Sequence, residues 1–135
     1  MALSEGSLEI GQTFSAPVVE DLKRTQIVQY AGASGDYNPL HTDEPFATQV
    51  AHYPTVFAHG MLTMGMAGRA LAAWVGEDAL RGFGVRFSSQ VWPGDTLTAR
   101  FTVEDEEQGT LQIAVSVTNQ DGREVAVGTA SAAAG

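Results

Sequence analysis

The sequence predicts an α+β domain in which one antiparallel sheet curls around a single long helix. Three observations lead there. Across residues 60–75, apolar side chains (Met61, Leu62, Met64, Met66, Ala67, Ala70, Leu71, Ala73, Trp74) occupy nearly every helical face, and a helix apolar all round has to be wrapped by other structure. After Gly84 the pattern switches to strict alternation, which gives strands with one apolar face in need of a cover. The chain of 135 residues has room for one domain and one core, so residues 1–135 read as a single unit in which the sheet and the helix cover each other.

In chain order, Phe14, Ala16, Val18 and Leu22 fall at even positions, a strand that Pro17 confines to an edge. Ile27, Val28, Ala31 and Ser34, with Tyr30 beside them, recur at helical spacing and predict a helix over 24–34 capped by a left-handed Gly35. Asn38-Pro39 is expected to stop the helix from resuming, which leaves 36–41 as a rigid loop. Asp43, Glu44 and Pro45 read as the cap and first turn of a short helix ending at Val50, and the polar stretch 51–55 breaks it before the long helix. Strands follow on Val85, Phe87 and Val91; on Leu97, Ala99, Phe101 and Val103; on Leu111, Ile113, Val115 and Val117; and on Val125 and Val127. Turn signals at Pro93-Gly94-Asp95, at 106–109 and at Asp121-Gly122 join them into a four-stranded meander. If the first turn closes a hairpin in which paired numbers sum to about 188, Arg86 lies opposite Thr102, Arg100 lies opposite Ser88, and the two arginines become diagonal neighbours. Residues 132–135 are expected to fray.

Seven basic residues against 16 acidic give a net charge of −9, which argues against nucleic acid and anionic membranes, where binding draws on dense Lys and Arg contacts with phosphate. The absence of cysteine excludes disulfides, thiolate nucleophiles and Cys-ligated zinc. Met1-Ala2-Leu3-Ser4-Glu5-Gly6 has neither a basic flank nor an apolar run, so a cytoplasmic protein is expected. His59 and Arg69 interrupt the most apolar stretch, which suits a buried helix better than a bilayer span.

The densest polar cluster is Gly35-Asp36-Tyr37-Asn38-Pro39-Leu40-His41-Thr42-Asp43. On a loop fixed by Gly35 and Pro39, Asp36 and His41 can converge as a general acid/base pair, since carboxylate and partial burial pull the imidazole pKa in opposite directions. Asn38 could orient either one. The same residues also fit a plain turn, with Asp36 capping it, Asn38 in a left-handed position and His41 at the surface. A second cluster, Ala58-His59-Gly60, opens the long helix, where free N–H groups and the positive end of the dipole can hold a carbonyl oxygen close to a glycine. Packing alone would equally explain Gly60, with His59 as a helix-start residue. His52, beside Tyr53 and Pro54, reads as solvated. No histidine pair has helical i, i+4 spacing, so no metal is expected. Met61, Met64 and Met66 read as core.

The run Tyr30-Ala31-Gly32-Ala33-Ser34-Gly35-Asp36-Tyr37-Asn38-Pro39-Leu40-His41 resembles the hydratase motif of the MaoC-like, (R)-specific 2-enoyl-CoA hydratase family with the hot-dog fold. Ala58-His59-Gly60-Met61 is similar to that family's central-helix start, and Val85-Arg86-Phe87 with Val91-Trp92-Pro93-Gly94-Asp95 to its following strand and turn. Within the family, Met1-Ala2-Leu3, His59 to Gly65, Trp74-Val75-Gly76 and Gly128-Thr129-Ala130-Ser131-Ala132 look most like the branch of the catalytic B subunit of the actinobacterial (3R)-hydroxyacyl-ACP dehydratase. The resemblance implies a catalytic dyad of Asp36 and His41, with Asn38 in support and the Gly60 N–H as oxyanion donor beside His59. It also implies reversible hydration of trans-2-enoyl thioesters on CoA or an acyl carrier protein, no cofactor, and a dimer with an identical or a different hot-dog chain. A hot-dog thioesterase would need a carboxylate on the long helix, and residues 61–75 contain neither Asp nor Glu. A non-catalytic partner subunit would have no use for an intact Asp36 and His41. Carrier, chain length and direction stay open.

Overall fold

The computed structural model describes residues 8–134, so the likeness carried by residues 1–3 lies outside them. Strand β1 (Thr13–Val19) leads to helix α1 (Arg24–Ser34), the single helical turn α2 (Pro39–Thr42), a π-helical segment (Phe46–Val50) and the long helix α3 (Gly60–Val75). Strands β2 (Leu80–Phe87), β3 (Leu97–Glu107), β4 (Thr110–Thr118) and β5 (Glu124–Ala133) complete the chain. The five strands form one antiparallel sheet in the order β1-β3-β4-β5-β2.

The alternation read from the sequence decides which face of the sheet is buried. Leu97, Ala99, Phe101 and Val103 on β3, and Leu111, Ile113, Val115 and Val117 on β4, are all buried against Ala67, Leu71 and Trp74 of α3. Trp74 stacks on Phe14 at 5.6 Å and on Phe101 at 6.0 Å. Burying one such large side chain contributes about 1.5–3 kcal/mol, which is why this face and not the other turns inward.

Six expectations are corrected. The sheet is not a meander, because β2 pairs with β5 (Phe83 opposite Ala130) while β3 lies between β1 and β4. The Pro93-Gly94-Asp95 turn is tied elsewhere: Gly94 N–H donates to Leu22 O at 2.7 Å, Leu22 N–H donates to Asp95 O at 2.9 Å, and the buried Asp95 carboxylate accepts from Trp92 N–H and Gln120 Nε2. It docks on the exit of β1 and closes no hairpin. Arg86 therefore sits opposite Val127, and Arg100 opposite Ser15 and Ser116, so the two arginines are not neighbours.

Pro39 does not keep the chain from turning helical but opens α2, because proline at the first position gives up an N–H that has no intrahelical partner there. The sheet does not wrap α3 all round either. Met61, Gly65, Arg69 and Ala73, spaced by four, form an exposed stripe along it. Nor do residues 132–134 fray, since Ala132 is buried between Leu80 and Leu111, and Ala134 N–H donates to Gly109 O at 2.8 Å; Gly135 lies outside the described residues.

Candidate active site

Three hydrogen bonds between residues two apart shape the loop after α1. Gly35, at φ 77°, caps the helix and turns the chain. Asp36 N–H donates to Ser34 Oγ at 3.2 Å, Asn38 N–H to Asp36 Oδ1 at 3.2 Å, and Leu40 N–H to Asn38 Oδ1 at 3.0 Å. Asn38 is thus the N-cap of α2, and its support of His41, three residues on, runs through the start of that turn.

His41 is buried and its Nδ1–H donates to the Phe57 carbonyl oxygen at 2.6 Å. A carbonyl can only accept, so the neutral ring carries its lone pair on Nε2. Burial pushes the His41 pKa below its ordinary value of 6.5. The Phe57 carbonyl works against that shift, His59 adds to it, and the Asp36 carboxylate opposes it. Phe57 itself is presented by a stapled segment. The Glu44 carboxylate accepts from Thr55 Oγ1 at 2.6 Å, Val56 N–H at 3.0 Å and Arg24 Nη2 at 3.1 Å, and these bonds, led by Thr55, hold its pKa below the usual carboxylate range.

His59, at the N-cap of α3 and 2% exposed, donates from Nε2 to the Asp36 backbone carbonyl at 3.0 Å. Its ring lies on that of His41, with centroids 3.8 Å apart and planes 26° apart, and Tyr30 packs edge-on against its other side at 4.8 Å. Ligating atoms of Asp36, His41 and His59 lie within 4.8 Å of one another, so the predicted convergence of Asp36 and His41 is present and His59 joins it. That trio is a poor metal site. Each imidazole spends one nitrogen on a backbone carbonyl, and stacked rings hold their remaining lone pairs side by side, whereas a shared ion must lie about 2.0 Å from both nitrogens in both ring planes.

Gly60, the first residue of α3, lines a cavity of about 290 Å³ with Phe57, Thr63, Ser88, Ser89 and Gln90. A side chain at Gly60 would bring its Cβ within 2.9 Å of the Phe87 ring, so this glycine has a packing reason. His52 is exposed, as expected. Sequence reasoning missed three contributors. Phe57 acts through its carbonyl, for which no side-chain signal exists. Tyr30 reads as an ordinary helix-face aromatic. Thr63 is buried on the cavity wall with a hydroxyl that has no partner among the described residues, and its apolar neighbours hide it in the sequence.

Proteins named hydratase or dehydratase, which are hydro-lyases, are among those similar to this chain. A 3-hydroxyacyl-thioester dehydratase Y of Mycobacterium tuberculosis is 40% identical over 97 residues, which cover 70% of this chain and 33% of that protein. An (R)-specific enoyl-CoA hydratase of Rhodospirillum rubrum is 34% identical over 97 residues, covering 70% of this chain and 67% of the relative. The solved R-hydratase PhaJ1 of Pseudomonas aeruginosa, unliganded, superposes with a TM-score of 0.84 at 29% identity over 94% of this chain and 82% of that one, and it shares the hot-dog fold. The chain thus spans about a third of the length of the dehydratase it matches. Residues 6–125 match the family described as MaoC like domain, and this chain belongs to it.

Proposed function

We propose that this chain catalyses the reversible addition of water to trans-2-enoyl thioesters, giving (3R)-3-hydroxyacyl thioesters, within fatty-acid-type metabolism. The observation that carries the reading is the His41 tautomer. Its Nδ1–H is committed to Phe57, which leaves a basic Nε2 in the group that also contains the Asp36 carboxylate, on an element that opens beside the first turn of α3. A water held between Asp36 and His41 attacks C3 of the enoyl group. The negative charge that develops on the thioester oxygen is met by the Gly60 N–H and the positive end of the 16-residue helix α3, a type of contact worth about 3–4 kcal/mol per donor. The dyad takes one proton from water and returns one to C2. The thioester supplies the activation, so the step runs without a cofactor.

A thioesterase reading lacks its carboxylate, since residues 61–75 carry neither Asp nor Glu. The partner in this reading is a second hot-dog chain, identical or related, seated on the exposed stripe of α3 and the free edge of β2. A cytoplasmic setting belongs to the same proposal. The test is to incubate purified protein with crotonyl-CoA, a longer enoyl-CoA and an enoyl-acyl carrier protein, alone and with its genomic neighbour, and to resolve the product's configuration. A (3R)-hydroxyacyl thioester is expected. Free acid and thiol as the products would replace this reading with a thioesterase.

A further inference from the structure

Asp95 is the one buried carboxylate among the described residues, 5% exposed, and the mechanism above makes no use of it. Both of its oxygens accept, Oδ2 from Trp92 N–H at 2.9 Å and Oδ1 from Gln120 Nε2 at 3.0 Å, the acceptor-only role that an ionised carboxyl fills. Trp92 N–H belongs to the same peptide group as the Val91 carbonyl, and that carbonyl accepts from Ala58 N–H at 2.8 Å. Ala58 N–H in turn shares a peptide group with the Phe57 carbonyl, which accepts from His41 Nδ1–H at 2.6 Å. An unbroken chain of three hydrogen bonds through two peptide groups thus joins the Asp95 carboxylate to the His41 ring. Phe57, Ala58 and Val91 line the cavity at Gly60, so the chain runs along its wall, while Asp95 itself lies outside that lining.

A planar trans peptide carries its C=O and N–H on opposite sides. Both groups are crossed in the same sense, carbonyl toward His41 and N–H toward Asp95. Two dipoles of about 3.5 D each therefore line up with the carboxylate at their positive ends and the imidazole at their negative ends. Hydrogen bonds in such a chain polarise one another, by about 10–30% per bond. We propose that Asp95 is a positioning residue for the dyad: its charge, relayed by the 91–92 and 57–58 peptide groups, strengthens the Phe57 bond to Nδ1–H and keeps Nε2 of His41 as the basic nitrogen. The consequence for turnover rests on the hydration reading above, whereas the consequence for the ring does not. The titratable groups that bear on the ring directly are His59 on α3 and Asp36 after α1. Behind Phe57, Glu44 is paired with Arg24. Beside the turn, Asp21 is paired with Lys23. All of these stay in place in the variants that test the relay.

The test follows the His41 ring by NMR without substrate, in wild type, Asp95→Asn and Asp95→Asn/Gln120→Glu. The single change removes the charge and turns an amide N–H toward Gln120 Nε2, whose Oε1 is already taken by Thr96 N–H at 3.0 Å. The double change exchanges the two head groups, so every donor again meets an acceptor and the net charge is that of wild type, but a neutral amide ends the chain. In both variants His41 should titrate below its wild-type value and its Nδ1–H proton should resonate upfield of wild type, because the bond to Phe57 weakens. The kcat for crotonyl-CoA should fall about three- to tenfold with KM within about twofold, since Asp95 touches no substrate. The thermal midpoint should recover in the double variant, which carries the test by itself where the single variant fails to fold. Recovery of the wild-type titration and resonance together with the midpoint overturns the proposal and leaves Asp95 as a brace for its turn. An unchanged ring in a folded Asp95→Asn protein overturns it as well. A ring that responds as expected, in a protein that hydrates no enoyl thioester, upholds the relay and removes only the hydration reading.

Discussion

The Phe57 carbonyl oxygen accepts the His41 Nδ1–H at 2.6 Å, and this one bond settles which nitrogen of His41 can act as a base. Everything around it holds that geometry in place. Glu44 staples the segment that carries Phe57, α2 carries His41, and His59 supports the imidazole from below while its own N–H grips the Asp36 carbonyl.

Asp36→Asn and His41→Ala should each lower hydration of crotonyl-CoA about a thousandfold, since such a residue combines proton transfer, worth about 10²–10⁴, with orientation of the water. The double variant should be little worse than the worse single one, because both residues act on one water. Thermal midpoints near wild type, measured on the same preparations, establish that the losses are chemical. Wild-type turnover in either single variant removes the dyad.

The acid limb of the kcat/KM profile should lie below pH 6.5, the ordinary histidine value, because burial lowers the His41 pKa and the neutral ring is the form that accepts a proton. The same shift bears on stability. A folded-state pKa below the unfolded one means that the unfolded chain binds more protons in the interval between them. His41's contribution is therefore present above about pH 6.5 and is lost as pH falls from there through the folded-state value. In Asp36→Asn the His41 pKa should drop further, because the carboxylate that favours the imidazolium is gone; a titration followed by NMR reads this directly, and an upward move contradicts it.

Gly60→Val should reduce kcat/KM by about 10² or more if its N–H meets the thioester oxygen. The Phe87 ring, 2.9 Å from where a Cβ would stand, adds an overpacking cost of about 1–3 kcal/mol. Combining the change with Phe87→Ala separates the two effects. The thermal midpoint should recover in the double variant while kcat/KM stays low. Recovery of both would make Gly60 a packing residue and place the oxyanion donor elsewhere.

Chelation should leave the activity unchanged, because the stacked imidazoles of His41 and His59 cannot both direct a lone pair at one ion. Activity lost to EDTA and restored by zinc would require a different site.

The sequence by itself determined the long helices, the buried faces of the central strands and where the candidate residues cluster. Periodicity placed α1 and α3 at their observed ends, the two-residue alternation named the buried face of β3 and β4, and Gly35, Asp36 and His41 stood out because their spacing and flanking turn residues are local properties. Local signals could not give the strand order. Pro93-Gly94-Asp95 looks the same whether it closes a hairpin or docks on Leu22, and the choice depends on hydrogen bonds to residues far away in the chain. The same limit hid Phe57, whose contribution is a backbone oxygen, and made His59 look like a helix-start residue when its ring is the floor under His41. Tertiary structure alone decided those points, because a tautomer and a stack exist only between segments that the chain brings together when it folds.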